Sequence, residues 1–150
     1  MSGTPGDLLG PDAFRRVADG ALALEGADGI EVLLMHESGG LTRFANSEIH
    51  QSTAREDTGL RVRVVKEGRV GVAATNEATP EGALAAARSA LEMTGVVAPD
   101  PLWPGLAPPE PVHEVDRYFE ATATASPERR ADAVAELIGR CPAGCSAGHR

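Results

Sequence analysis

The chain has 150 residues, 42% of them apolar, and its 14 basic and 22 acidic side chains leave a net charge of −8. That is enough apolar material for one core. Aromatic residues make up 3% of the sequence, so an aromatic stacking platform for bases or sugars is excluded, and the acidic balance opposes the phosphate attraction behind most nucleic-acid affinity. No apolar run approaches the ~20 residues that span a bilayer. The opening MSGTPGDLL has neither a basic start nor an apolar h-region. These features predict a soluble, cytoplasmic protein that binds neither nucleic acid nor membrane.

Gly10-Pro11 opens a helix with proline at its first position, and Phe14, Val17, Ala18, Ala21 and Leu22 fall on one face. Gly26 and Gly29 bracket its end. From Ile30 the period changes to two. Ile30, Val32 and Leu34 alternate with Glu31, Leu33 and Met35, a pattern that predicts an interior strand covered on one side and partly on the other. Ser38-Gly39-Gly40 reads as a turn between strands.

A second extended stretch, LTRFANSEIHQST at 41–53, loses its phase between Phe44 and Ile49, and a bulge or tight turn at Asn46-Ser47 would restore one buried face. Leu60, Val62 and Val64 then alternate with Arg61 and Arg63. After Lys66-Glu67-Gly68-Arg69 come Val70, Val72 and Ala74, and a glycine at the turn between two such runs predicts a β-hairpin.

Thr79-Pro80-Glu81 starts the next helix with a capping hydroxyl, a proline and an acid, and Leu84, Ala87, Ala90 and Leu91 line one side. Residues 96–116 hold six of the 11 prolines and predict an extended surface connector. Ser126-Pro127-Glu128 repeats the cap, and Ala131, Val134, Ala135 and Ile138 stripe a third helix. A lone helix of that length is marginal in water, so it must dock on the sheet, on a second copy, or on further sequence. The fold class is therefore α+β: a mainly antiparallel sheet of about four strands with helices on one face, in the order α-β-β-β-β-α-α. The division expected is a sheet domain at 1–95, a proline-rich connector at 96–116, and a helix and tail at 117–150 leading toward a C-terminal domain.

The chemistry-bearing residues do not assemble into a known motif. Cys141, Cys145 and His149 are spaced four apart, but Pro142, Gly144 and Gly148 oppose a helix there, and structural zinc wants four ligands. A loop is the favoured reading of CPAGCSAGHR. His36-Glu37 and His113-Glu114 begin like a zinc-protease helix, yet neither has a second histidine one turn on. His50 in an extended segment reads as a surface group. Arg61, Arg63, Lys66 and Arg69 read as the wet face of a strand pair.

In the ordered run from residue 31 to 91, Thr42-Arg43-Phe44-Ala45-Asn46 is followed by Gly59-Leu60-Arg61-Val62-Arg63-Val64, by Gly68, Gly71 and Thr75-Asn76, and by a Thr-Pro-Glu helix start. This run resembles the N-terminal domain of the TldD/PmbA family, also called modulators of DNA gyrase, and with the later Ser-Pro-Glu helix the similarity covers roughly residues 10–140. LTRFANSEIHQ is closer to the PmbA-like subunits than to the TldD-like ones. The resemblance implies a bacterial, cytoplasmic zinc metallopeptidase system acting on unfolded or short peptides, assembled as a homo- or hetero-oligomer with a TldD-like subunit. It also implies an HExxxH helix and a later cysteine that lie downstream of these 150 residues. No catalytic, cofactor-binding or metal-ligating residue is therefore assigned in the chain, and zinc is expected in the full-length catalytic subunit or a partner. The function implied is a non-catalytic domain that helps form the substrate chamber and subunit interface. The alternative is a stand-alone peptide- or protein-binding module, of gyrase-modulator type or otherwise, offering a strand edge to its partner.

Overall fold

The computed structural model describes residues 9–111, 113 and 115–140. Its elements run α1 (Pro11–Leu22), β1 (Gly29–Ala45), β2 (Glu48–Lys66), β3 (Arg69–Thr75), α2 (Pro80–Thr94), α3 (Glu120–Ala123) and α4 (Pro127–Arg140). The class is α+β, as the sequence indicates, with a three-stranded antiparallel sheet in the order β1-β2-β3 rather than one of about four strands. The difference arises at Ser38-Gly39-Gly40, where the backbone stays extended and β1 continues to Ala45. The reversal comes instead at Asn46 and Ser47, with φ of 51° and 63°. Positive φ at both central residues is what a tight two-residue hairpin requires. Phe44 and Ile49 flank this turn about half exposed, at 47% and 42%, so neither gains the buried face expected of it. Because β2 is the central strand, β1 is an edge strand of the described sheet and not an interior one.

Two compact units divide the chain. One comprises the described residues of 8–37 and 57–115, and the other those of 38–56 and 116–150. Both long strands thus pass through both units.

In the first unit Leu60, Val62 and Val64 of β2 face the helices with Ile30, Val32 and Leu34 of β1, against Val17 and Ala21 of α1 and Ala83, Ala86, Ala87 and Ala90 of α2. The α2 stripe is alanine; Leu84 and Leu91, expected on it, are only half-buried. The Glu67-Gly68 hairpin sets Val62 opposite Ala73 and Val64 opposite Gly71, so the inward residues of β3 are Gly71, Ala73 and Thr75. Val70, Val72 and Ala74 point the other way. Distance explains this choice: a Cβ on Gly71 would run into the carbonyl of Ala90. α2 lies so close to β3 that a side chain does not fit between them. α1 approaches α2 equally closely, since a Cβ on Gly20 would meet the backbone of Pro80.

Capping follows the sequence. Thr79 Oγ1 accepts from the Gly82 amide at 3.0 Å, and Ser126 Oγ accepts from the Arg129 amide at 3.2 Å. Hydrogen bonds from its own backbone amide and from Ser126 hold the Glu128 carboxyl below its ordinary pKa. In the second unit α4 reaches β1 through Arg130, whose Nε donates to Thr42 Oγ1 at 3.3 Å and whose Nη1 donates to the Ala125 carbonyl at 2.6 Å. Val134 on α4 is buried. The single turn α3 carries no apolar periodicity, and sequence patterning does not anticipate it.

Replacing Gly71 by Ala should destabilise the protein by ~3 kcal/mol or more, because the obstruction is backbone and cannot rotate aside. Gly39→Ala, where an added Cβ meets nothing within 4 Å, should be near neutral. Urea denaturation of the two variants compares them directly, and equal midpoints would contradict the close α2–β3 contact.

Candidate functional site

With α1 and α2 on one face of the sheet, the opposite face of the first unit carries Glu31, Leu33 and Met35 from β1, Arg61 and Arg63 from β2, and Val72 and Ala74 from β3. Leu33 and Met35 are 47% and 52% exposed, a large apolar area for a surface. The proline-rich segment covers one end of this face. The Trp103 ring sits 5.7 Å from the Arg63 guanidinium, and Leu106 lies against Gly29. The Asp100 amide donates to the Gly68 carbonyl at 3.0 Å. Arg63 is also paired with Glu31 at 3.0 Å.

Past Trp103 the face opens into a groove of about 480 Å³, within the range of small-ligand sites. Leu33, Met35, Asp57, Thr58, Gly59, Arg61 and Ala74 are among the residues that line it. The walls are mostly apolar, and its charged groups are the Arg61 guanidinium and the Asp57 carboxylate. Such a surface can accept an apolar group and one anion.

Of the residues singled out in the sequence, Arg61 lines the groove and His36 touches its lining through Thr58. His36 Nδ1 lies 2.8 Å from Oγ1 of Thr58, itself a lining residue of the groove. His50, in the other unit, donates from Nε2 to the Ala45 carbonyl at 3.0 Å, since a carbonyl only accepts. His113 is exposed in the connector. Cys141, Cys145 and His149 lie outside the described residues, as does Glu114. Among the described residues no group of three or more His, Cys, Asp or Glu side chains is placed to hold a metal ion. None of their helices is long and apolar enough to cross a membrane. Of the basic cluster, Arg61 and Arg63 do lie on one strand face, and Arg69 pairs with Glu67 at 3.2 Å beside the turn. The roofing of Arg63 by Trp103 was not legible from the connector, where a lone tryptophan among prolines carries no periodic signal.

The span from β1 to the end of α2, residues 30–94, matches the family model described as PmbA/TldA metallopeptidase domain 1. Over residues 30–94 the chain is similar to that first domain. The match begins at Ile30 in β1 and closes on Thr94 at the end of α2, so it takes in the whole sheet, the hairpin tip and the groove. The fold is also that of TldE from Thermococcus kodakarensis, whose crystal structure superimposes with a TM-score of 0.68 at 20% identity over 83% of this chain. The chain spans 27% of the TldE chain. No curated protein matches the sequence.

Trp103 is the single tryptophan of the chain, so its fluorescence reports the connector's seat on the sheet. Arg63→Met keeps the aliphatic stem and removes the cation, a contact worth about 0.5–1 kcal/mol at such a site. The expected result is a red-shifted emission and stronger acrylamide quenching with little change in unfolding midpoint. An unaltered spectrum would show that Arg63 does not hold the ring.

Proposed function

We propose that this chain is the N-terminal, non-catalytic domain of a PmbA/TldD-type metallopeptidase subunit. It forms part of the wall of a substrate chamber and part of the subunit interface. A zinc centre elsewhere in the full-length catalytic subunit or in a partner, in the cytoplasm, cleaves unfolded or short peptides. The family-model match over residues 30–94 carries this reading, and the likeness of fold to TldE over most of the chain supports it. In this role the residues of the chain bind and orient a peptide. The sheet provides rigid strands, and its uncovered face provides apolar area with a cation at one point. Zinc, bound outside the described residues, would polarise the scissile carbonyl and activate water. Residues 1–95 act as the sheet domain and 96–116 as the connector.

A second reading, a stand-alone module that adds a peptide strand to a sheet edge, draws on the position of β1, which has a neighbour on one side only in the described sheet. The two differ in what the isolated chain and an assembled enzyme do. Purified residues 1–150 incubated with quenched fluorescent peptides and zinc should release no product, and addition of a zinc-bearing TldD-like subunit should give chelator-sensitive cleavage. Robust chelator-sensitive cleavage by the chain alone would overturn the first reading. Tight peptide binding with no association with any such subunit would favour the second.

A further inference from the structure

Arg61 and Arg63 share one strand face, two residues apart, yet their surroundings differ sharply. Arg63 is neutralised by Glu31 at 3.0 Å and capped by Trp103. Arg61 lines the apolar groove, and among the described residues it makes no ion pair. Its register partner on β3 is Ala74, a small side chain that leaves the space beside the guanidinium open. Next to Arg61 on the same face of β2 comes Gly59, where an added Cβ would meet nothing within 4 Å. The floor of the groove is therefore a gap, bounded by an available cation on one side and by Leu33 and Met35 on another.

We infer that this groove binds the C-terminal residue of a peptide whose last side chain is apolar, with the terminal carboxylate on the Arg61 guanidinium and the side chain over Gly59 against Leu33 and Met35. The inference rests on the peptide-chamber reading and specifies what one part of that chamber recognises. The chemistry of the groove selects this occupant. A guanidinium offers two parallel donors to a carboxylate. Adjacent strands stand ~4.8 Å apart, a spacing that suits a carboxylate and an apolar side chain diverging from a single Cα. The net charge of −8 opposes anions in general, so attraction here is confined to Arg61.

Calorimetric titration of the chain with N-acetyl-Ala-Ala-Leu as the free acid and as the C-terminal amide tests the assignment. The acid should bind at least tenfold more tightly than the amide, and the difference should shrink as salt is raised. Arg61→Gln should abolish the difference. Gly59→Leu fills the groove without meeting neighbouring atoms, and should remove binding of both peptides while leaving the unfolding midpoint unchanged. Should that variant fail to fold, Arg61→Gln on the exposed face remains the deciding one. Equal affinity for acid and amide, a preference that survives Arg61→Gln, or no binding of either peptide would overturn the proposal. A longer peptide with an internal Asp that competes as well as the free acid would overturn the terminal-residue assignment. These outcomes leave the chamber reading standing, because that reading fails by a different result, cleavage by the isolated chain.

Discussion

The architecture depends on how near α2 comes to β3. Backbone meets backbone at Gly71 and Ala90, and every larger arrangement in the first unit follows from that approach. The inward residues of β3 must be small, so the bulk of the core falls to Leu60, Val62 and Val64 on the central strand. α1 then lies against α2 through Gly20 and Pro80. With both helices spent on one side, no helix among the described residues of the first unit covers the other side of the sheet.

That uncovered side is where the connector becomes informative. Its six prolines lack amide donors, so a proline-rich segment is poorly equipped to pair with a strand and attaches instead by side chains. Trp103 over Arg63 and Leu106 against Gly29 do this at one end of the face. Beyond them Leu33 and Met35 stay exposed beside Arg61. One arginine thus becomes structural and its neighbour remains available, a division made by the reach of the connector rather than by anything local to β2.

Much of the fold was legible because its signals are short-range. The Glu67-Gly68 hairpin, the two Pro-initiated helices with Thr79 and Ser126 as caps, and the alternation of Leu60, Val62 and Val64 all follow from local chemistry. Errors came where a residue type serves two structures. Gly39 and Gly40 read as a turn but sit in an extended strand, while Asn46 and Ser47 take the left-handed conformations of the actual reversal. The buried stripe of α2 is made of alanines, not of the leucines its spacing predicts, since tertiary distance, invisible in sequence, sets the permitted size. The groove was the least legible feature. It needs β1, β2 and β3 side by side, and residues such as Gly59 and Ala74 reveal their role only through the empty space they leave.

The alanine seam between α2 and its neighbours has a thermodynamic consequence. Ala83, Ala86, Ala87 and Ala90 bury modest area each, yet an alanine methyl has no rotamers to surrender when the chain orders. Cohesion along this seam therefore comes with almost no side-chain disorder lost, and little is regained there on warming. Thermal loosening should begin instead among the long, partly solvated side chains of the uncovered face, where Met35 and Arg61 retain most of their freedom.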